Sequence, residues 1–239
     1  MAVFKPATSN LLHIEVINAI INAIVSGELK PGDHIIEQHI AQEMQISRAP
    51  VREAIRELAA QDIIQFIPRK GAYVAPLDPR NIEGIYLLRS YLEGLAARLA
   101  APRLTETDLN EMYLLNYQMG EASLKNNVDT FINLDLQFHD FICQHCEHSQ
   151  LKKMIDGVQL QTKLFMNMSK WHLAAHSELH REMNAHEPIL EALRARNQEE
   201  AEMKMREHIV MAGNRLLEYL VDNKSSKNSK KEDTETVKN

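Results

Sequence analysis

Between positions 63 and 77 the chain carries its one clear β-type signal. IIQFIP and GAYVAPL are two short runs joined by Arg69-Lys70-Gly71, and they read as a hairpin. The rest of the apolar pattern is helical, so any fold must mount one small hairpin on an otherwise α-helical chain. Eight glycines and eight prolines in 239 residues leave few tight turns, which argues against an all-β architecture.

Upstream of the hairpin, residues 12–27 place Val16, Ile17, Ile20, Ile21, Ile24 and Val25 at the i, i+3, i+4 spacing of an amphipathic helix. Gly27 and the Lys30-Pro31-Gly32 turn stop it. A second helix is predicted from about Ile36 to Met44. A third runs from Arg48 to Ala60, capped by Ser47, with Pro50 tolerated in its first turn. Three helices followed by a hairpin describe a winged helix-turn-helix over residues 11–77, preceded by an N-terminal arm, 1–10. Asp78-Pro79 then reads as an N-cap and N1 pair, and Thr105-Glu106-Thr107-Asp108 as another helix start. Only helical periodicity follows, giving a mainly α chain whose residues 78–222 form an all-α helical-bundle domain of six or seven helices. Residues 223–239 are polar, mixed in charge and nearly free of apolar side chains, the composition of a disordered tail.

Hydrophobic content of 44% and charged content of 25% fit a soluble globular protein. Two cysteines cannot build a disulfide framework, and VINAIINAIV is broken by asparagines and lacks a cleavage pattern. No segment approaches the roughly 20 apolar residues of a membrane span. A cytoplasmic protein without membrane contact is therefore expected. The net charge of −6 argues against a nucleic-acid binder, but a small basic module can ride on an acidic partner domain.

Local placement of charge points the other way. Arg48, Arg52 and Arg56 share one side of the third helix, where a recognition helix presents arginine to guanine in the major groove. Arg69 and Lys70 fall at the wing tip, within reach of phosphate or the minor groove. The same arginines, opposite Glu53 and Glu57, also fit a merely solvated face.

In the second domain the segment LDLQFHDFICQHCEHSQL is crowded with metal-capable side chains. Projected at 100° per residue, Phe131, Leu134, Phe138, Phe141 and Ile142 form the apolar arc. Asp135 and His139 fall within or beside it, one turn apart. A carboxylate there must be paired or bound to a cation. His186 stands mid-stripe among Leu179, Met183, Ile189, Leu190 and Leu193, and His208 among Ala201, Met205, Ala212, Leu216 and Tyr219. Converging in a bundle core, three imidazoles and one carboxylate suit Zn²⁺, Ni²⁺ or Fe²⁺. A structural metal, or a metal-free hydrogen-bonded cluster, stays open beside that reading. Asp140 and Glu147 project to the polar side. Cys143-x-x-Cys146 lacks the second pair of a zinc knuckle and reads as packing. His172, His176 and His180, beside Trp171, fit a solvated face.

SGELKPGDHI, EQHIAQEMQISRAPVREAIRELAAQDII and PRKGAYVAPL resemble the winged helix of GntR-family transcription regulators. The resemblance implies operator contacts at Arg48, Arg52, Lys70 and Gly71, with Ser47 and Ala49 close to the DNA backbone. Gln45 and Asp62 stand where the family favours glycine, and Gln38 where some members carry arginine. LDLQFH, HEPILEAL and AEMKMREHIVMA are similar to the FCD effector domain of the FadR-like branch. That likeness implies a divalent metal, zinc or nickel, on Asp135, His139, His186 and His208. Pro188 departs from the pattern and is expected to kink the helix just past His186. Arg89 resembles an arginine that faces the effector pocket, although an Arg89–Glu93 intrahelical pair is an equal alternative. Taken together, the resemblance implies a homodimeric repressor that binds palindromic double-stranded operator DNA and responds to a small carboxylate effector. No HExxH-type arrangement supports an enzyme.

Overall fold

A computed structural model describes residues 10–76, 78–175 and 184–235. The chain divides into two compact units, Met1–Leu77 and Asp78–Asn239.

In the first unit, α1 (Asn10–Ser26), α2 (Glu37–Glu43) and α3 (Arg48–Ala60) surround a small sheet of β1 (His34–Ile35), β2 (Ile64–Ile67) and β3 (Gly71–Val74). The strands run antiparallel in the order β1-β3-β2, with Ile35 opposite Ala72 and Phe66 opposite the same residue on the other side. The stripe on α1 buries Val16, Ile20 and Ile24, which share a core with Val51, Ile55 and Leu58 of α3 and with Ile64 and Val74. Strand β1 has no counterpart in the sequence reading, because two residues are too short to show alternation. Ser47 also differs from expectation. It occupies the N-cap of α3 in extended conformation, but its side chain makes no capping bond. Of the two amides that can donate to such a cap, the one three residues on is missing, because Pro50 has no N–H.

Gln45 and Asp62, the two sites where glycine was expected, both adopt φ of 55°, just past the C-termini of α2 and α3. The left-handed region crowds any side chain with a Cβ. Gln45→Gly and Asp62→Gly are therefore each expected to stabilise this unit by about 0.5–1 kcal/mol, after the extra chain entropy of glycine is subtracted. Urea unfolding of the full chain measures it.

The second unit contains α4 (Pro79–Ala100), α5 (Glu106–Leu124), α6 (Val128–His145), α7 (Ser149–Ala175), α8 (Glu187–Arg194) and α9 (Gln198–Glu235) among its described residues. Asp78 caps α4 by accepting from the Arg80 amide, with Pro79 at the first helical position. Thr105 and Asp108 close a reciprocal capping box on α5. Helices α4 and α9 meet at two glycines. A Cβ on Gly94 would lie 2.6 Å from Arg206 Cγ, and one on Gly213 would lie 2.8 Å from Tyr86 Cβ. That close approach sets α9, and His208 on it, beside the inward face of α4.

Helix α9 continues to Glu235, through most of the segment expected to be disordered. After Gly213 it meets no further glycine or proline to stop it. Leu179, Met183, His176 and His180 lie outside the described residues, as do residues 1–9 of the expected arm and the His172 side chain. Among the described residues, no helix is long and apolar enough to cross a membrane.

Candidate metal centre and nucleic-acid interface

Helix α6 presents Asp135 and His139 from successive turns, α9 supplies His208, and His186 comes from the N-cap of α8. Pro188 sits in the first turn of that helix, so it removes no internal hydrogen bond and the expected kink is absent. All four side chains are buried, and one ligand atom from each lies within 4.8 Å of the others. His139 Nε2 and His208 Nε2 are 3.3 Å apart, and Asp135 Oδ1 lies 3.1 Å from His186 Nε2 and 3.9 Å from His139 Nε2.

Protein partners do not satisfy this cluster. His186 Nδ1 and Nε2 and His208 Nδ1 are buried without hydrogen bonds, since the Asp135–His186 approach has the distance of a hydrogen bond without its angle. Buried polar atoms are rarely left so. A divalent cation at the point where three nitrogens and one oxygen converge would satisfy the inward-facing atoms together.

Protonation states fit the same use. Burial acts to raise the Asp135 carboxyl, but the facing imidazoles more than offset it and hold the group below the ordinary carboxylate range. Burial pushes the pKa of His186 down, and burial with the neighbouring imidazoles pushes that of His208 well down. A charged carboxylate and neutral imidazoles are the ligand forms. In metal-free protein these depressed histidine pKa values imply a definite sign. Below the unfolded value near 6.5 the unfolded chain takes up protons that the native chain refuses. Metal-free protein should therefore melt at falling temperature as pH drops from 7 towards 5.

Behind His139 stands a residue the sequence reading used only as an ion-pair partner. Glu93 Oε2 lies 2.6 Å from His139 Nδ1, while Glu93 Oε1 accepts from Arg89 Nε at 2.7 Å. Arg89, Glu93 and His139 are all buried. Desolvation opposes the Glu93 charge, yet Arg89 and His139 outweigh it and bring the carboxyl down to about 2. Glu93 thus faces the Nδ1 side of the ring at ion-pair distance without a formed hydrogen bond, while Nε2 faces the other three candidate ligands. Of the two readings for Arg89, the pair with Glu93 is formed. An acidic residue one turn from an arginine, flanked by Ala96 and Ala97 of an inward face, was the available signal.

The crowded neighbours are engaged elsewhere. Asp140 pairs with Lys152 at 3.0 Å and Glu147 with Arg103 at 3.2 Å. Cys143 and Cys146 are free thiols buried with Ala96, Leu151 and Ile155, and burial pushes the Cys143 thiol up, away from its thiolate form.

In the first unit, Ser47, Arg48, Ala49, Arg52 and Arg56 are exposed along the N-terminal part of α3. Arg69, Lys70 and Gly71 are exposed at the β2–β3 turn. Arg69 has φ of 64° and Gly71 φ of 106°, and a Cβ on Gly71 would lie 2.9 Å from His34 Nε2. His34 itself stacks on Tyr73, ring centroids 4.7 Å apart. Glycine is thus favoured at 71 by the backbone, whose φ lies in the left-handed range. Glu37, at the start of α2, approaches both Arg48 and Arg52.

Both units match models of known protein families. Residues 12–74 match the model for bacterial regulatory proteins of the gntR family, and residues 84–211 match the FCD domain. The chain is 30% identical over 210 residues to a probable D-xylose utilization operon transcriptional repressor of Paenarthrobacter nicotinovorans, covering 87% of this chain and 90% of that protein. It is 27% identical over 186 residues to the HTH-type transcriptional repressor RspR of Escherichia coli (strain K12), covering 78% and 80% respectively. Among solved structures, E. coli McbR/YncC aligns with a TM-score of 0.73 at 25% identity, over 87% of this chain and 98% of that one.

Proposed function

The chain belongs to the gntR family of bacterial regulatory proteins, and from that premise we propose that it is a homodimeric repressor released from its operator by a small carboxylate bound at a divalent metal. It is a transcription regulator with a DNA-binding winged helix and an FCD domain, not an enzyme. The observation that carries the finer reading is the buried Asp135–His139–His186–His208 set, whose ligand atoms converge and whose His186 ring nitrogens lack protein partners.

Asp135, His139, His186 and His208 would hold zinc or nickel, the ions that an N₃O set favours. Such an ion would supply an open coordination position for a carboxylate oxygen. Arg89, with Nε committed to Glu93, keeps its other guanidinium N–H groups for the second oxygen of that effector. Repression is the activity named for two of the relatives. Pairing of two copies is supported by an apolar stripe on α4, where Leu87, Leu88, Tyr91 and Leu95 remain exposed on one face. A two-fold dimer would set two α3 helices against a palindromic duplex. The effector acts through its difference in affinity between DNA-competent and DNA-incompetent arrangements, and DNA weakens effector binding by the same factor.

Arg48, Arg52 and Arg56 would face base edges, with Ser47 and Ala49 at the backbone and Arg69, Lys70 and Gly71 at the wing. The test uses a duplex selected from a randomised library by the full-length protein. Arg52→Ala should cost about 1–3 kcal/mol on that duplex, and Lys70→Ala should weaken all duplexes alike and reduce the salt slope by about one. An unchanged affinity for Arg52→Ala would remove it from the reading surface.

A further inference from the structure

The two arginines at the head of α3 do not stand free. One carboxylate oxygen, Glu37 Oε2, lies 3.1 Å from Arg48 Nη2, 3.4 Å from Arg52 Nε and 3.5 Å from Arg52 Nη2. Glu37 is the first residue of α2, so the contact crosses from one helix of the helix-turn-helix to the other. Glu37 is more shielded than either arginine, with side-chain exposures of 23%, 57% and 50% for Glu37, Arg48 and Arg52. The acid thus sits behind the pair, and the guanidinium groups reach outward past it.

Exposed ion pairs contribute little to fold stability. What this one does is geometric. Two like charges one helical turn apart repel and would splay. A shared acceptor instead draws both guanidinium groups to one side and restricts their rotation. Bidentate reading of guanine needs that restriction, because each arginine must present two N–H groups in a fixed plane. The same carboxylate also subtracts charge from the face. Non-specific binding follows charge, while specific binding follows geometry, so the acid has opposite consequences for the two.

We propose that Glu37 is a positioning residue that orients Arg48 and Arg52 for base reading and lowers the attraction of the same face for unrelated DNA, so that it sets specificity rather than affinity. This rests on the DNA-reading role given to Arg48 and Arg52 above. A loss of the favourable effect of an acid at the α2 N-terminus would weaken binding to every duplex equally and cancels in a ratio.

The experiment compares full-length wild type, Glu37→Gln, Glu37→Asp and Arg52→Ala on two probes. One is the duplex selected by the wild-type protein, the other a shuffled duplex of the same composition. Both are titrated over a range of salt concentrations. Glu37→Gln should bind the shuffled duplex more tightly, with a salt dependence steeper by about one phosphate equivalent. Its selected-to-shuffled affinity ratio should fall by about tenfold, within the range for losing one well-made base contact. Glu37→Asp keeps the charge but shortens the reach, and its ratio should also fall while its salt dependence stays at the wild-type value. A ratio unchanged in Glu37→Gln would overturn the proposal, whether both affinities rise together or fall together. So would a ratio lowered in Glu37→Gln but fully retained in Glu37→Asp, since charge alone would then be the cause. Arg52→Ala separates the premise: if it binds the selected duplex like wild type, the base-reading assignment fails independently of Glu37.

Discussion

Replacing Glu93 by alanine is expected to destabilise the helical unit by about 3–5 kcal/mol, the range for removing one partner of a buried ion pair. Arg89 would be left buried with its Nε unsatisfied, and His139 would lose the carboxylate that faces its Nδ1. Glu93→Gln keeps the shape and an acceptor, so its cost should be smaller, about 1–3 kcal/mol. Its effect on metal should persist: the neutral amide holds the imidazole less firmly, and affinity should fall roughly 10–100-fold. Urea unfolding gives the first quantity, and competition with a coloured chelator gives the second. A Glu93→Ala variant as stable as wild type would mean that water replaces the carboxylate and that the Arg89–Glu93–His139 chain is not a structural element.

Removing the metal has the other large expected effect. A ligand present at about 1,000 times its dissociation constant stabilises by about 4 kcal/mol, and the melting temperature then tracks its concentration. The chelated protein should lose that increment and regain it on addition of zinc or nickel. Asp135→Ala should sit near the chelated value and should not respond to added metal. The mechanism is specific to this cluster. Without a cation, His186 keeps two ring nitrogens buried and unbonded, and the Asp135 charge faces imidazoles that burial holds neutral. If chelated and loaded proteins melt together, the cluster is a metal-free polar core.

Direction on a helix was the most informative signal in the sequence. Asp135 and His139 stood out because they faced inward among apolar neighbours, while Asp140, Glu147 and the two cysteines, equally capable chemically, faced elsewhere or packed. Glycine-favouring positions were legible too: Gln45 and Asp62 interrupt a recognisable pattern, and both prove to occupy the left-handed region. What was not legible depended on contacts distant in sequence. Strand β1 exists only because β3 pairs with it. The place of Glu93 follows from how α4 packs on α6, and nothing within one turn of Glu93 announces His139. Glu37 likewise acquires its role from a helix eleven residues away, through Arg48. For Pro188, a continuous apolar stripe hides the turn at 184–186, after which a helix begins with His186 as its N-cap. Ser47 shows the converse, a residue in the N-cap place whose side chain makes no capping bond.

The proposed effector response depends on the metal. Elemental analysis of full-length protein purified without added metal, beside His186→Ala prepared identically and shown folded by circular dichroism, tests it most directly. Wild type should carry about one equivalent of zinc or nickel per chain, and the variant, left with three of four ligands, should carry far less. Equal metal in the two proteins, or none in wild type, would contradict it.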